Sequence, residues 1–232
     1  MILALNTAQS IHELAILDDH TGDPNSPREI LAERTWPDAK ASEQDLVPML
    51  REILDQLGLE KSAITKIMVV AGPGPFTAIR TGVTFANALA EGLGAQLYSM
   101  DTFELLDHKV AIKDEASEDP VIVILNAGGL DVAVDYAGER KIGPLAQLTA
   151  EISHGSQKVA YELKETLEEE LRGIALEKGW QEVKGEKLLT LGEAMINFNF
   201  NDAKTQSPGV QAIYLKDPVI TKSQDPWKTR NL

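Results

Sequence analysis

The sequence lacks cysteine, long apolar runs and many aromatic residues, and the first two absences each exclude a class of site or protein. Without cysteine among its 232 residues, the chain can form no disulfide, thiolate metal site or thiol nucleophile. No run approaches the roughly 18 apolar residues of a membrane-spanning helix. The opening residues, Met1 to Asn6, carry no basic leader and are expected to enter a strand directly. We therefore predict a cytoplasmic protein with no membrane partner.

Basic residues are also scarce. The chain has 22 Lys and Arg against 36 Asp and Glu, a formal net charge of −14. Neutralising a phosphate backbone requires clustered positive charge, so this balance argues against binding RNA or DNA unaided. With 43% hydrophobic and 25% charged residues, the composition is that of a globular protein of one large or two small domains.

Short apolar runs divided by turn residues predict an α/β fold. In the first half we predict strands at 1–6, 13–17, 29–35, 66–71 and 96–99, and helices at 42–57 with Asp45 as the better N-cap, from the glycine loop to 93, and from 102. A hairpin followed by β-α-β crossovers implies a mixed sheet with helices packed on it.

The second half opens with a similar hairpin. We predict strands at 121–125, 132–136 and 188–191, a helix at 159–178, and an extended segment at 210–215. The charged stretch 113–120 ends in proline and is a plausible boundary. We therefore predict two subdomains, 1–112 and 113–232.

The most specific local feature is a glycine loop, Gly72-Pro73-Gly74-Pro75-Phe76-Thr77, between a strand and a helix. Two glycines allow a phosphate or another backbone to approach closely, and Arg80 could reinforce an anion there. Neither known phosphate motif is complete, because the lysine of one is missing and Thr77 stands where the other needs a third glycine. A ligand loop and a tight turn capped by Thr77 both remain open.

The helix after this loop has two adjacent faces of apolar or small residues, where a surface helix normally has one. One stripe is Ile79, Val83, Ala86, Ala90 and Leu93, and the other is Ala78, Gly82, Phe85, Leu89 and Gly92. Either the helix is wedged deep in its own domain, or one face meets the sheet and the other meets a partner.

Residues that could carry catalysis do not form a recognisable set. The four histidines have no helical pair spacing, and no Gly-x-Ser-x-Gly elbow supports a serine nucleophile. The first strand ends at Asn6, where actin-like nucleotide-binding sheets place an acidic residue that holds metal and phosphate. We therefore predict no catalytic residue, no metal site and no enzymatic activity.

Several segments, in order and spacing, resemble the bacterial TsaB (YeaZ) family. They are Ile2-Leu3-Ala4-Leu5-Asn6-Thr7, Asp45-Leu46-Val47-Pro48-Met49-Leu50, residues 71–82 around the glycine loop, Met100-Asp101-Thr102-Phe103-Glu104-Leu105-Leu106, and Ala212-Ile213-Tyr214-Leu215-Lys216. The resemblance is strong over roughly the first 106 residues. It implies an α/β, actin-like (ASKHA) fold of two halves, each a mixed sheet flanked by helices.

The resemblance also implies a role in making threonylcarbamoyladenosine (t6A) in tRNA. In that family TsaB is a non-catalytic paralogue of the transferase TsaD, binds it through helices of the first half, and is joined by the ATPase TsaE. We expect tRNA to be contacted indirectly, through these partners. The predicted partner interface is Phe76, Arg80, Gly82, Phe85, Ala86 and Leu89.

No cofactor is expected, beyond ATP or ADP bound weakly or at a shared interface. The candidate nucleotide contacts are Thr7, Gly72, Gly74 and Thr77. Two alternative functions remain. One is a free-standing ATP-dependent kinase or hydrolase of the actin-like class, and the other is a homodimer that uses the same surface.

Overall fold

The structure, a computed structural model, describes residues 1–19, 27–37, 46–111, 120–185, 188–200, 205–206 and 209–216. The strands are β1 (Ile2–Asn6), β2 (Ile11–Leu17), β3 (Ile30–Pro37), β4 (Lys66–Val70), β5 (Gln96–Met100), β6 (Ile122–Asn126), β7 (Asp131–Tyr136), β8 (Glu139–Pro144), β9 (Lys158–Glu162) and β10 (Gln181–Val183). The α-helices are α1 (Leu46–Leu57), α2 (Phe76–Leu93), α3 (Thr102–Ala111), α4 (Leu145–Ala150), α5 (Glu165–Lys178) and α6 (Leu191–Ile196).

Two five-stranded sheets share one topology. The first has the order β3-β2-β1-β4-β5 and the second β8-β7-β6-β9-β10. In each sheet the three strands of the opening meander pair antiparallel, and the later two strands join in parallel. The hairpin echo in the sequence therefore marks a structural duplication, and each half is a mixed sheet flanked by helices, as predicted.

The central strands form the cores because their continuous apolar runs bury both faces. All five residues of β1 are buried, as are the last four of β4. Helix α3 joins the halves, since Phe103, Leu106 and Val110 pack in one apolar cluster with residues of β6, β7 and β9. No helix within the described ranges is long and apolar enough to cross a membrane.

The chain returns to the first sheet after β10. Helix α6 buries Leu191, Ala194 and Met195 in the apolar core of the first half. The C-terminal strap (residues 209–216) then crosses that half. There the side-chain amide of Asn87 accepts a hydrogen bond from the N–H of Val210 and donates one to its carbonyl. Helix α6 and most of the strap therefore pack on the first half, although they lie within the predicted second subdomain, 113–232; the boundary between the subdomains stays a prediction.

Two secondary-structure predictions in the second half are wrong. The predicted helix 159–178 is strand β9 followed by α5, because the β-branched and aromatic residues before Leu163 extend the parallel sheet. The predicted strand 188–191 instead leads into α6, which Thr190 and Glu193 open with a reciprocal capping box. Strand β8 and helix α4 were also missed, while the predicted cap Asp45 lies outside the described residues.

A buried ion pair ties the first sheet to α3 and α6. Glu13 on β2 and Lys109 on α3 are each 5% exposed, and Lys109 Nζ donates to Glu13 Oε2 over 2.6 Å. The amide of Asn6 donates to the same oxygen, and the backbone N–H of Leu191 donates to Glu13 Oε1. Since every partner comes from a different element, this cluster fixes how α3 and α6 meet the sheet.

Replacing Lys109 by Met should lower the free energy of unfolding by about 3 kcal/mol, because Glu13 would remain buried without its counter-charge. The remaining hydrogen bonds from Asn6 and Leu191 keep the loss at the lower end of the range for broken buried pairs. Urea denaturation followed by circular dichroism measures it. The double variant Glu13→Gln with Lys109→Met should recover part of the loss.

Lys61→Met, at an exposed site, is the matched control and should change stability little. Equal destabilisation by Lys61→Met and Lys109→Met would contradict the role assigned to the buried pair.

Candidate functional site

A cleft of about 790 Å³ lies between the two sheets, at the ends of β6 and β9 and beside the glycine loop. Its lining residues are Ala8, Ser10, Pro73, Gly74, Pro75, Phe76, Thr102, Leu125, Asn126, Ala127, Gly128, Glu162, Leu163, Lys164, Tyr214, Leu215 and Lys216. Crevices at the carboxyl ends of parallel strands are the usual ligand sites of open α/β sheets. The cleft is therefore the first place to test for nucleotide binding.

The glycine loop is covered by two other segments of the chain. A Cβ on Gly74 would lie 1.9 Å from the carbonyl oxygen of Ala8, in the β1–β2 turn. A Cβ on Gly72, whose φ is +106°, would lie 2.5 Å from the carbonyl oxygen of Ile213 in the strap. Close backbone approach explains both glycines, and the close neighbour at each is another part of the chain.

Thr7, a predicted nucleotide contact, is buried, and its hydroxyl is used in a hydrogen bond within the protein. Its hydroxyl donates to the carbonyl of Ala78 on α2 over 2.8 Å. A Cβ on Gly82 would lie 2.2 Å from the hydroxyl oxygen of Thr7, so a larger residue at position 82 would displace Thr7. This contact packs α2 against the end of β1.

The four predicted nucleotide contacts therefore do not converge on a phosphate site. Of the four, Gly74 lines the cleft, while Thr7 and Gly72 hold other parts of the chain. Thr77 is exposed in the first turn of α2, whose N-cap is Pro75, so the alternative in which Thr77 caps the turn is wrong. Weak binding of ATP or ADP at the cleft stays a prediction.

A stacked group of side chains links the cleft to α2. Phe76 stacks on Tyr214 of the strap with ring centroids 4.8 Å apart, and the guanidinium of Arg80 lies 5.2 Å from the Phe76 ring. Phe76 and Tyr214 are 39% and 36% exposed. Stacking of this kind adds to the burial of the rings and holds the strap against the start of α2.

An open groove of about 490 Å³ lies between α1 and α2. It is lined by Leu46, Val47, Thr77, Arg80, Thr81, Thr84 and Phe85. Val47 is 65% exposed, and α2 carries only two charged residues, Arg80 and Glu91, in eighteen. The outward side of α2 is thus nearly free of charge, which is unusual for a face left in water.

The predicted interface residues divide between this groove and the core. Arg80 and Phe85 line the groove, Phe76 lies at the cleft, and Leu89 is half-buried farther along α2. Ala86 is 0% exposed, and Gly82 is buried against Thr7. In this conformation Gly82 and Ala86 both serve the packing of α2 on its own sheet, and their contact with a partner stays a prediction.

Two features of the cleft region carried no sequence signal. The guanidinium of Arg140 on β8 bonds Asp101 at the start of α3 and Asp135 on β7, and so bridges the halves. Burial lowers the pKa of Arg140, but these hydrogen bonds outweigh it and the pKa is raised overall. The second feature is Glu162 at the end of β9, which accepts a hydrogen bond from the N–H of Ser10 in the β1–β2 turn. The Arg140–Asp101 pair spans 39 positions and the Ser10–Glu162 pair spans 152, so neither forms a local motif.

Metal-binding groups do not cluster in the described part of the chain, since no three Asp, Glu or His side chains there converge. The prediction of no metal site stays a prediction.

Comparison with solved structures defines the class of fold. A Pseudomonas aeruginosa protein described as similar to the peptidase YeaZ aligns with a TM-score of 0.58 at 19% identity, over 93% of this chain and 99% of its own. YeaZ from Pseudomonas aeruginosa aligns with a TM-score of 0.54 at 19% identity, over 83% of this chain and 96% of its own. The fold is the actin-like (ASKHA) fold, as expected.

The sequence then defines the family. Residues 29–200 match the family described as TsaD, tRNA N6-adenosine threonylcarbamoyltransferase. An uncharacterized protein of Mycobacterium tuberculosis is 28% identical over 156 residues, 66% of this chain and 68% of its own length. The tRNA N6-adenosine threonylcarbamoyltransferase of Bordetella avium is 31% identical over 84 residues, 36% of this chain and 24% of its own. The chain belongs to the TsaD family, and its resemblance to the TsaB (YeaZ) members is confirmed.

Gly74→Ala should lower the free energy of unfolding by about 2–3 kcal/mol, because the added methyl cannot fit against the Ala8 carbonyl without moving backbone. Gly92→Ala is the matched control, since nothing lies within 4 Å of a Cβ there. That variant should gain about 0.5–1 kcal/mol from helix propensity. Thermal and urea melts of both variants measure the difference, and equal effects would contradict the contact.

Proposed function

We propose that this protein is a non-catalytic subunit that binds the TsaD transferase and supports t6A formation in tRNA. It does so in the cytoplasm, with TsaE joining the assembly and tRNA contacted through the partners. The observation that carries the proposal is the charge-poor outward side of α2 and its groove with α1. Family membership supports t6A as the process, and the groove supports binding as the role.

Burial and charge make this groove a suitable protein interface. Phe85 and Leu89 are half-buried and pack on the core beneath, so they would present a firm apolar surface to a partner helix. Thr81, Thr84 and Ala88 are small side chains beside them, which would let another helix approach closely. Charged residues are depleted at interface centres, as they are on this side of α2.

The site geometry gives the proposed non-catalytic role further support. The first strand ends at Asn6, whose amide groups bond Gln9, Glu13 and the N–H of Ala8 inside the protein. Together with the occupied Thr7 and the covered glycine loop, this arrangement favours a structural use of the β1 end.

The proposal predicts that a charge placed in the groove blocks the complex with TsaD. Thr84→Glu and Val47→Glu alter exposed side chains on α2 and α1, so the fold should survive. Each would bury an added carboxylate at the interface, with Arg80 of the same groove as its nearest cation, and we expect the dissociation constant to rise roughly 30- to 150-fold, for about 2–3 kcal/mol. Isothermal titration calorimetry of each variant against TsaD measures the change.

Leu176→Glu is the matched control, because Leu176, like Val47, is an exposed apolar residue; it lies on α5 of the second half and is 86% exposed. It should bind TsaD like the unaltered chain. If the two groove variants also bind normally, the α1–α2 surface is not the interface. Light scattering of each chain alone distinguishes a homodimer on the same surface, which Thr84→Glu would convert to monomer.

A further inference from the structure

The cleft carries one bond whose chemistry is that of anion recognition. The backbone N–H of Ser10, in the turn between β1 and β2, donates to Glu162 Oε1 over 2.9 Å. The turn that holds Ser10 joins two strands of the first sheet, and Glu162 ends strand β9 of the second, so this solvent-exposed bond crosses the cleft that both residues line. Backbone N–H groups of turns are common donors to phosphate and carboxylate oxygens.

The neighbouring polar groups of this turn are satisfied locally. Asn6 Oδ1 accepts the N–H of Ala8, and Asn6 Nδ2 donates to Gln9 Oε1. The Ser10 N–H is different, because its partner is a carboxylate from the other half of the protein. A phosphate oxygen that used this donor would have to take the place of Glu162 Oε1.

The charges around the cleft favour an anion once Glu162 is removed. Among the described lining residues, Glu162 supplies the one carboxylate, and Lys164 and Lys216 supply ammonium groups. Lys216 pairs with Asp131 over 2.8 Å at the rim. With Glu162 in place, a phosphate that approached the Ser10 N–H would meet the negative charge of the Glu162 carboxylate. The two negative charges would repel each other.

We propose that Glu162 is an internal occupant of an oxyanion position at the β1–β2 turn, and that its carboxylate excludes phosphate-bearing ligands from the cleft. The chain thus provides its own anion where a bound phosphate would sit. This inference is independent of the proposed partner surface, which lies in the α1–α2 groove.

The test is a titration of the ¹⁵N-labelled chain with inorganic phosphate, with sodium chloride at matched ionic strength as the blank. The readout is the amide resonance of Ser10 in ¹H–¹⁵N spectra, which also report whether each variant is folded. Glu162→Ala removes the internal anion, and Glu162→Gln keeps an acceptor without the charge. Glu170→Gln removes a charge from an exposed position of α5 and is the matched control.

We expect phosphate to shift the Ser10 resonance saturably in Glu162→Ala, with a dissociation constant about tenfold or more below that of the unaltered chain. Glu162→Gln should fall between the two, and Glu170→Gln should match the unaltered chain. Equal phosphate binding by all four proteins would overturn the proposal, as would a Ser10 resonance that phosphate moves in none of them.

Discussion

The contact between Gly74 and the carbonyl of Ala8 is the constraint on which the arrangement of the first half depends. It presses the glycine loop onto the β1–β2 turn and so fixes where α2 begins. The Thr7 hydroxyl and Gly82 then set the side of α2 that faces the sheet. With one side of α2 fixed inward by these contacts, the opposite, charge-poor side is left outward beside α1.

The same contacts give a structural reason for the glycines of a loop that resembles a phosphate-binding element. Glycines are needed in such loops because backbone must approach something closely. Here the strap and the β1–β2 turn are what approach, and Glu162 bonds the turn from the second sheet. The cleft between the halves is thus present, while groups around it bond to one another.

The sequence predicted most of the first half because its signals are local. Continuous apolar runs identified the central strands, and the stripe of Leu46, Leu50 and Ile53 identified α1. The elements of the second half are harder to predict from the sequence. Only two residues separate β9 from α5, and β8 is an exposed edge strand with little apolar pattern. A capping signature at Thr190 and Glu193 was present and would have found α6.

The candidate site could be predicted only in part, for a physical reason. Periodicity gives two faces of α2, but it does not say that Ala86 and Gly82 are both buried. For Gly82 the burial depends on a contact with Thr7, which is 75 residues away in sequence. Bonds such as Ser10 to Glu162 join residues 152 positions apart and leave no pattern along the chain. Such pairings are decided by topology.

Hydrogen–deuterium exchange of the chain, alone and with TsaD, tests the central claim most directly. The account predicts slower exchange in α1 and α2 on adding TsaD, with α5 unchanged. Protection confined to α5 and the second sheet, or no protection of α2 in a complex that forms, would contradict it.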